Sequence, residues 1–128
     1  MVEGVLDLVF EDAEGRGVVV DYKSNDVTAS DRVSVLTRHY RPQIELYALA
    51  AKWAGLVDPA EATLYFLNKP EARTLTVSER RLDEVQRETG DALARIGRGA
   101  WDTEPGEKCR NCGYRKRGYC EVGKQWRE

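Results

Sequence analysis

Apolar and polar positions alternate near the start of the chain. In VEGVLDLVFED, Val5, Asp7 and Val9 point one way and Leu6, Leu8 and Phe10 the other. This predicts a strand with one apolar and one mixed face. The glycine-containing AEGRG follows, and then VVVDYKS, where three β-branched residues predict a buried second strand. Two strands around a short turn predict an antiparallel hairpin. NDVTASDRVSVLTR is polar and aperiodic and predicts a loop or mobile excursion. From Tyr40 to Leu56 the period becomes helical. Ile44, Tyr47, Ala48 and Ala51 form one stripe, and Leu46, Leu49, Ala50 and Trp53 a second. A helix apolar on two sides is expected to be largely buried, with Pro42 in its first turn and Gly55 at its end. ATLYFLN predicts a central third strand, and ARTLTVS a fourth paired to it through KPE. Thr76 or Ser78 then caps a last helix with Leu82, Val85, Thr89, Leu93 and Ile96 inward, ended by Gly97 and Gly99.

The order β-β-α-β-β-α predicts a mixed sheet with helices, α/β or, by some schemes, α+β. Residues 1–100 are expected to form this core, and 101–128 a tail holding all three cysteines. The first strand opens the chain with nothing before it to cover a sheet. A piece of a longer polypeptide is therefore expected.

Composition changes this picture little: 41% hydrophobic and 33% charged residues over 128 positions fit one globular domain. No apolar run is long enough to span a membrane, and no secretory leader opens the chain. A cytoplasmic location is expected. The net charge of −2 is unevenly spread. Residues 1–31 carry eight acids against Arg16 and Lys23, while residues 108–128 carry seven bases against Glu121 and Glu128. That polarity fits a cation site beside a polyanion-binding surface, and equally fits ordinary solvated charge.

The candidate chemistry begins at the end of VVVDYKS. Asp21 and Lys23 lie two residues apart, hence on one face of a strand, and pairing through the turn at residues 12–17 can bring Asp7 near Asp21. Two close carboxylates repel unless a cation neutralises them, and oxygen ligands suit Mg²⁺ or Mn²⁺. The main-chain carbonyl of Tyr22 can add a further oxygen. Lys23 beside such a site can orient water or stabilise developing negative charge, a kit for phosphodiester hydrolysis. A bare D-x-K is also a common solvated ion pair. Gln43 and Tyr47, at i and i+4, share one helix face, where they can hydrogen-bond a phosphate or a base, or else simply pack and solvate.

GVLDLVF, VVVDYKS and YRPQIELYALA together resemble the RecB-type nucleases of the PD-(D/E)xK superfamily. The nearest likeness is to the nuclease domains of bacterial recombination helicase-nucleases, the RecBCD, AddAB and AdnAB class. The likeness covers residues 3–54, and the order of elements continues to about 120. It implies a restriction-endonuclease-like sheet flanked by helices, lacking its N-terminal elements in this chain. It implies Asp7, Asp21 and the Tyr22 carbonyl as metal ligands, Lys23 as the assisting lysine, and Gln43, Tyr47 and Tyr40 as DNA-binding residues. It further implies an exonuclease fed single-stranded ends by a helicase motor in recombination and repair. The alternative is a catalytically incomplete module that binds DNA or acts as a scaffold. The family's upstream helix carries a metal-touching histidine, expected outside this chain. His39, the chain's one histidine, is expected at the surface.

Cys109, Cys112 and Cys120 are spaced C-x2-C-x7-C, which favours a metal over a disulfide in a cytosolic protein. The resemblance implies a [4Fe–4S] cluster completed by an upstream cysteine in the parent, although the family's last spacing is two residues shorter. Zinc or a lost cluster are the alternatives, and in this chain alone free thiols or a disordered tail are expected. Arg115, Lys116 and Arg117 beside Tyr114 and Tyr119 can contact phosphate and stack on the bases of a single strand, or can be solvated loop charge.

Overall fold

The computed structural model describes residues 3–29, 31–100 and 103–126. The chain forms two compact units, residues 1–91 and 92–128, whose boundary falls within its second long helix.

In the first unit four strands form one mixed sheet in the order β1-β2-β3-β4. β1 (Leu8–Glu11) pairs antiparallel with β2 (Gly17–Lys23), β2 pairs parallel with β3 (Pro59–Phe66), and β3 pairs antiparallel with β4 (Glu71–Thr76). Parallel neighbours cannot be joined by a tight turn. The helix α1 (Arg32–Trp53) makes the crossover from β2 to β3 and packs on both strands. The second long helix, α2 (Glu79–Gly97), follows β4. The predicted β-β-α-β-β-α order and mixed sheet are those found.

The register decides which face meets the helices. Val9, Val19, Ala62 and Leu75 align across the sheet, and with Leu64 two residues further along β3 they join Ile44, Ala48 and Leu49 of α1 and Leu82 and Val85 of α2 in the core. Because side chains alternate, Asp21 and Lys23 stand on this same face, aligned with Leu64 and Phe66. The acid and the lysine therefore finish a strand whose neighbouring side chains are buried.

Several expectations are corrected. β1 begins only at Leu8, and residues 3–7 before it are irregular, while the mixed face of its hairpin is the one turned to the core through Val9. Leu8 and Phe10, the apolar face, are partly exposed on the other side. The polar stretch after β2 is irregular only to residue 29. α1 starts at Arg32, eight residues before the helical period becomes obvious, because Val33 and Leu36 already pack on the core. Pro42 thus lies inside the helix rather than in its first turn. Val27 anchors the preceding loop in the core, and Asp26 accepts hydrogen bonds from the Thr28 amide and hydroxyl. In the second stripe of α1 only Leu49 is fully buried, while Ala50 and Trp53 are exposed. In α2, Leu82 and Val85 are buried, but Leu93 and Ile96 are exposed. Ser30 of the loop and Arg127 and Glu128 of the charge count lie outside the described residues.

In the second unit the tail folds into a 3₁₀ turn at Glu107–Arg110 and two short helices, α3 (Gly113–Lys116) and α4 (Glu121–Lys124), rather than a disordered segment. Arg115 braces it. Its guanidinium donates to the carbonyls of Gly123 at 3.0 Å, Cys109 at 3.4 Å and Trp126 at 3.4 Å, and lies 5.2 Å from the centre of the Trp126 ring. None of the three cysteines is in a disulfide.

Candidate active site

The C-terminal end of β2 and the middle of α1 meet at Lys23. Its Nζ donates to Gln43 Oε1 at 2.6 Å, lies 2.6 Å from Asp21 Oδ2, and sits 4.0 Å from the centre of the Tyr40 ring. Gln43 Nε2 in turn donates to the Tyr47 hydroxyl at 3.3 Å. Tyr40, Gln43 and Tyr47 recur at i, i+3 and i+7, which puts them along the one face of α1 that looks at the end of β2. A cation on an aromatic face and a charge-assisted hydrogen bond hold the ammonium in one place.

Asp21 is only 5% exposed, and its Oδ2 is ion-paired with the Lys23 ammonium at 2.6 Å. A buried carboxylate needs such a partner to stay charged. Asp7 sits just before β1, one step beyond the last paired residues, where the register leads toward Asp21. Its Oδ2 accepts the Tyr22 backbone N–H at 2.8 Å. That bond ties Asp7 to the residue between Asp21 and Lys23. Gly4, three residues earlier, lies so close to Tyr47 that a β-carbon there would stand 3.1 Å from the ring. The small residue therefore lets the chain leading to Asp7 close over Tyr47.

Every residue singled out at the hairpin and on the helix thus converges: Asp7, Asp21, Tyr22, Lys23, Tyr40, Gln43 and Tyr47. His39 is exposed and touches only the edge of the Tyr40 ring, 4.8 Å away, among its ring contacts. The donor set is two carboxylates and a main-chain carbonyl, hard oxygens of the kind that fit Mg²⁺ or Mn²⁺, and the Lys23 ammonium already pairs with Asp21 Oδ2 at 2.6 Å. Among the described residues no group of three or more His, Cys, Asp or Glu side chains is placed to hold a metal.

The profile of the PD-(D/E)XK nuclease superfamily matches residues 1–120. The chain belongs to the PD-(D/E)XK nuclease superfamily. Members of this superfamily are typically metal-dependent nucleases, and the mixed sheet flanked by helices is the restriction-endonuclease-like fold. A comparison with curated proteins finds no match. No described helix is long and apolar enough to cross a membrane.

One buried charged residue of this PD-(D/E)XK domain was not singled out in the sequence. Glu45 lies on the apolar stripe of α1 and is only 4% exposed. Arg81 of α2 grips it with two parallel bonds, Nη2 to Oε2 at 2.7 Å and Nε to Oε1 at 3.0 Å, and Arg41 Nε donates to Oε1 at 2.9 Å. Burial pushes the Glu45 carboxyl up, but Arg81 and Arg41 outweigh it and hold the group below the ordinary glutamate value. Glu45, Glu84 and Glu88 together raise Arg81 above its usual range. A charge inside an apolar stripe, four residues from an arginine, was the available signal.

Proposed function

We propose that this chain is a divalent-metal-dependent deoxyribonuclease of RecB type. The observation that carries this is the convergence of Asp21, Lys23, Gln43 and Tyr47 at one strand end, with the buried Asp21 paired to Lys23 at 2.6 Å. Asp7, Asp21 and the Tyr22 carbonyl would hold Mg²⁺ or Mn²⁺. A divalent cation there supplies Lewis-acid polarisation of the scissile phosphate. Lys23 has three N–H donors. Gln43 Oε1 and the neighbouring Asp21 oxygen occupy at most two, which leaves one to meet a phosphate oxygen or an attacking water. Charge builds on those oxygens as water adds and the P–O bond to the leaving sugar breaks, and a prepositioned ammonium is worth most at that moment. Gln43 fixes the lysine and the Tyr47 hydroxyl together, and Tyr40, Gln43 and Tyr47 line the approach of the DNA strand.

The finer reading follows the resemblance. The substrate is a single-stranded end, cleavage is exonucleolytic, and a helicase motor in recombination or repair delivers the strand in the cytoplasm. In the full-length parent, Cys109, Cys112 and Cys120 would hold a [4Fe–4S] cluster with a fourth cysteine. This reading rests on the C-x2-C-x7-C spacing and the resemblance; the three thiols line one cavity of about 200 Å³ in the second unit but, among the described residues, are not grouped to hold a metal in this chain alone. Iron and sulfide in protein purified without oxygen test this, and zinc would contradict it.

A second reading is a DNA-binding or scaffold module without turnover, favoured by the lack of a third metal-ligating side chain among the described residues. Calorimetric titration with Mn²⁺ and a cleavage assay on single-stranded DNA separate the two. The nuclease reading expects a binding isotherm that Asp21→Asn abolishes, together with cleavage. Binding of DNA with neither supports the scaffold.

A further inference from the structure

The tail carries two exposed tyrosines whose placement is set by one backbone motif. At the end of α3, Gly118 adopts φ +76°, a conformation that side-chain-bearing residues rarely take. The Gly118 amide donates to the Arg115 carbonyl at 3.0 Å, and the Tyr119 amide donates to the Tyr114 carbonyl at 2.9 Å. These are the two bonds of a Schellman motif. In such motifs the residue after the glycine and the one five positions earlier commonly close on each other as an apolar staple. Here the two residues are Tyr119 and Tyr114, and they remain 73% and 71% exposed. Instead of closing, they line a shared cavity of about 310 Å³ with Gly113 and Arg117.

The charge beside this cavity is also sorted by the fold. Of the three consecutive bases, Arg115 is spent on three carbonyls and the Trp126 ring, as described above. Lys116 and Arg117 are exposed, and Arg117 lines the cavity. Two tyrosine faces and one guanidinium, with the exposed Lys116 next to it in sequence, make a surface for a ligand that is flat, aromatic and anionic. Single-stranded nucleic acid has that chemistry: each base offers a π-face and each phosphate a charge. A duplex does not, because its bases are stacked inside.

We infer that Tyr114, Tyr119 and Arg117 form a base-stacking site for single-stranded nucleic acid, separate from the site at Lys23. The rings sandwich or flank an unstacked base, and Arg117 with Lys116 takes the adjoining phosphate. The inference shares with the nuclease reading only the class of partner.

Fluorescence anisotropy of a labelled oligo(dT) of about 16 nucleotides tests it, with the full chain in EDTA so that no cleavage enters the measurement. Alanine at Tyr114 or Tyr119 is expected to weaken binding about tenfold for each ring, Tyr119→Phe to bind as wild type does, and affinity for a blunt duplex to be unchanged. Both side chains are exposed, so the thermal midpoint of each variant should match wild type. Alanine variants that bind oligo(dT) as wild type does would overturn the inference. So would a Phe variant as weak as the Ala one, or a full chain that does not bind oligo(dT). Cleavage with Mn²⁺, measured separately, tests the site at Lys23, so one can fail without the other.

Discussion

The Lys23 ammonium is held from three sides, by Gln43 Oε1, by Asp21 Oδ2 and by the Tyr40 ring. Removing one support leaves the charge present but poorly aimed. Gln43→Ala is therefore expected to lower turnover on single-stranded DNA about 10²-fold, since a displacement of about 1 Å costs that much, while metal binding by calorimetry stays as in wild type. Gly4→Ala acts from the other direction. Its methyl would press on the Tyr47 ring and displace it from Gln43. Reduced cleavage with an unchanged thermal midpoint is the expected result; full activity would show that the ring yields freely.

Among the elements, α1 and α2 are joined by an ion cluster on the side of α1 away from Gln43 and Tyr47. Glu45, between Gln43 and Tyr47 in sequence, is pinned by Arg81. Glu45→Ala leaves Arg81 without its main partner and is expected to cost about 2–3 kcal/mol in urea unfolding. The pH dependence has a definite sign. Because the folded carboxyl lies below its unfolded value, its contribution is present in full above about pH 5. It is lost as pH falls through the lowered folded value. A Glu45→Gln variant should lose that part of the acid dependence, and an unchanged acid limb of the urea midpoint would contradict it. The strands were legible because β-branched runs and turn residues punctuate them, and Asp7, Asp21, Lys23, Gln43 and Tyr47 were legible as spacings. The start of α1 was not. Val33 and Leu36 pack on the core, but Arg32, Ser34 and Arg38 surround them with polarity, and Pro42 mimics a helix start ten residues into the helix. Leu93 and Ile96 keep the helical period of α2 although they are exposed, so period alone overstated the core.

At the scale of the whole molecule, charge is divided between an acidic start and a basic end. The bases of the tail set the expected salt dependence. Replacing Lys116 and Arg117 together by Gln should flatten the log–log dependence of oligo(dT) affinity on salt by roughly 0.7 per charge, for a total of about 1.4. An unchanged slope would remove these residues from the DNA interface. In the proposed function the carboxylate–lysine pair at the end of β2 hydrolyses DNA. The most direct test is Mn²⁺-dependent cleavage of end-labelled single-stranded DNA by the full chain and by Lys23→Ala, with folding checked by circular dichroism. The account predicts cleavage by wild type and a loss of at least about 10²-fold in the folded variant. Cleavage of equal rate in the two proteins would contradict it.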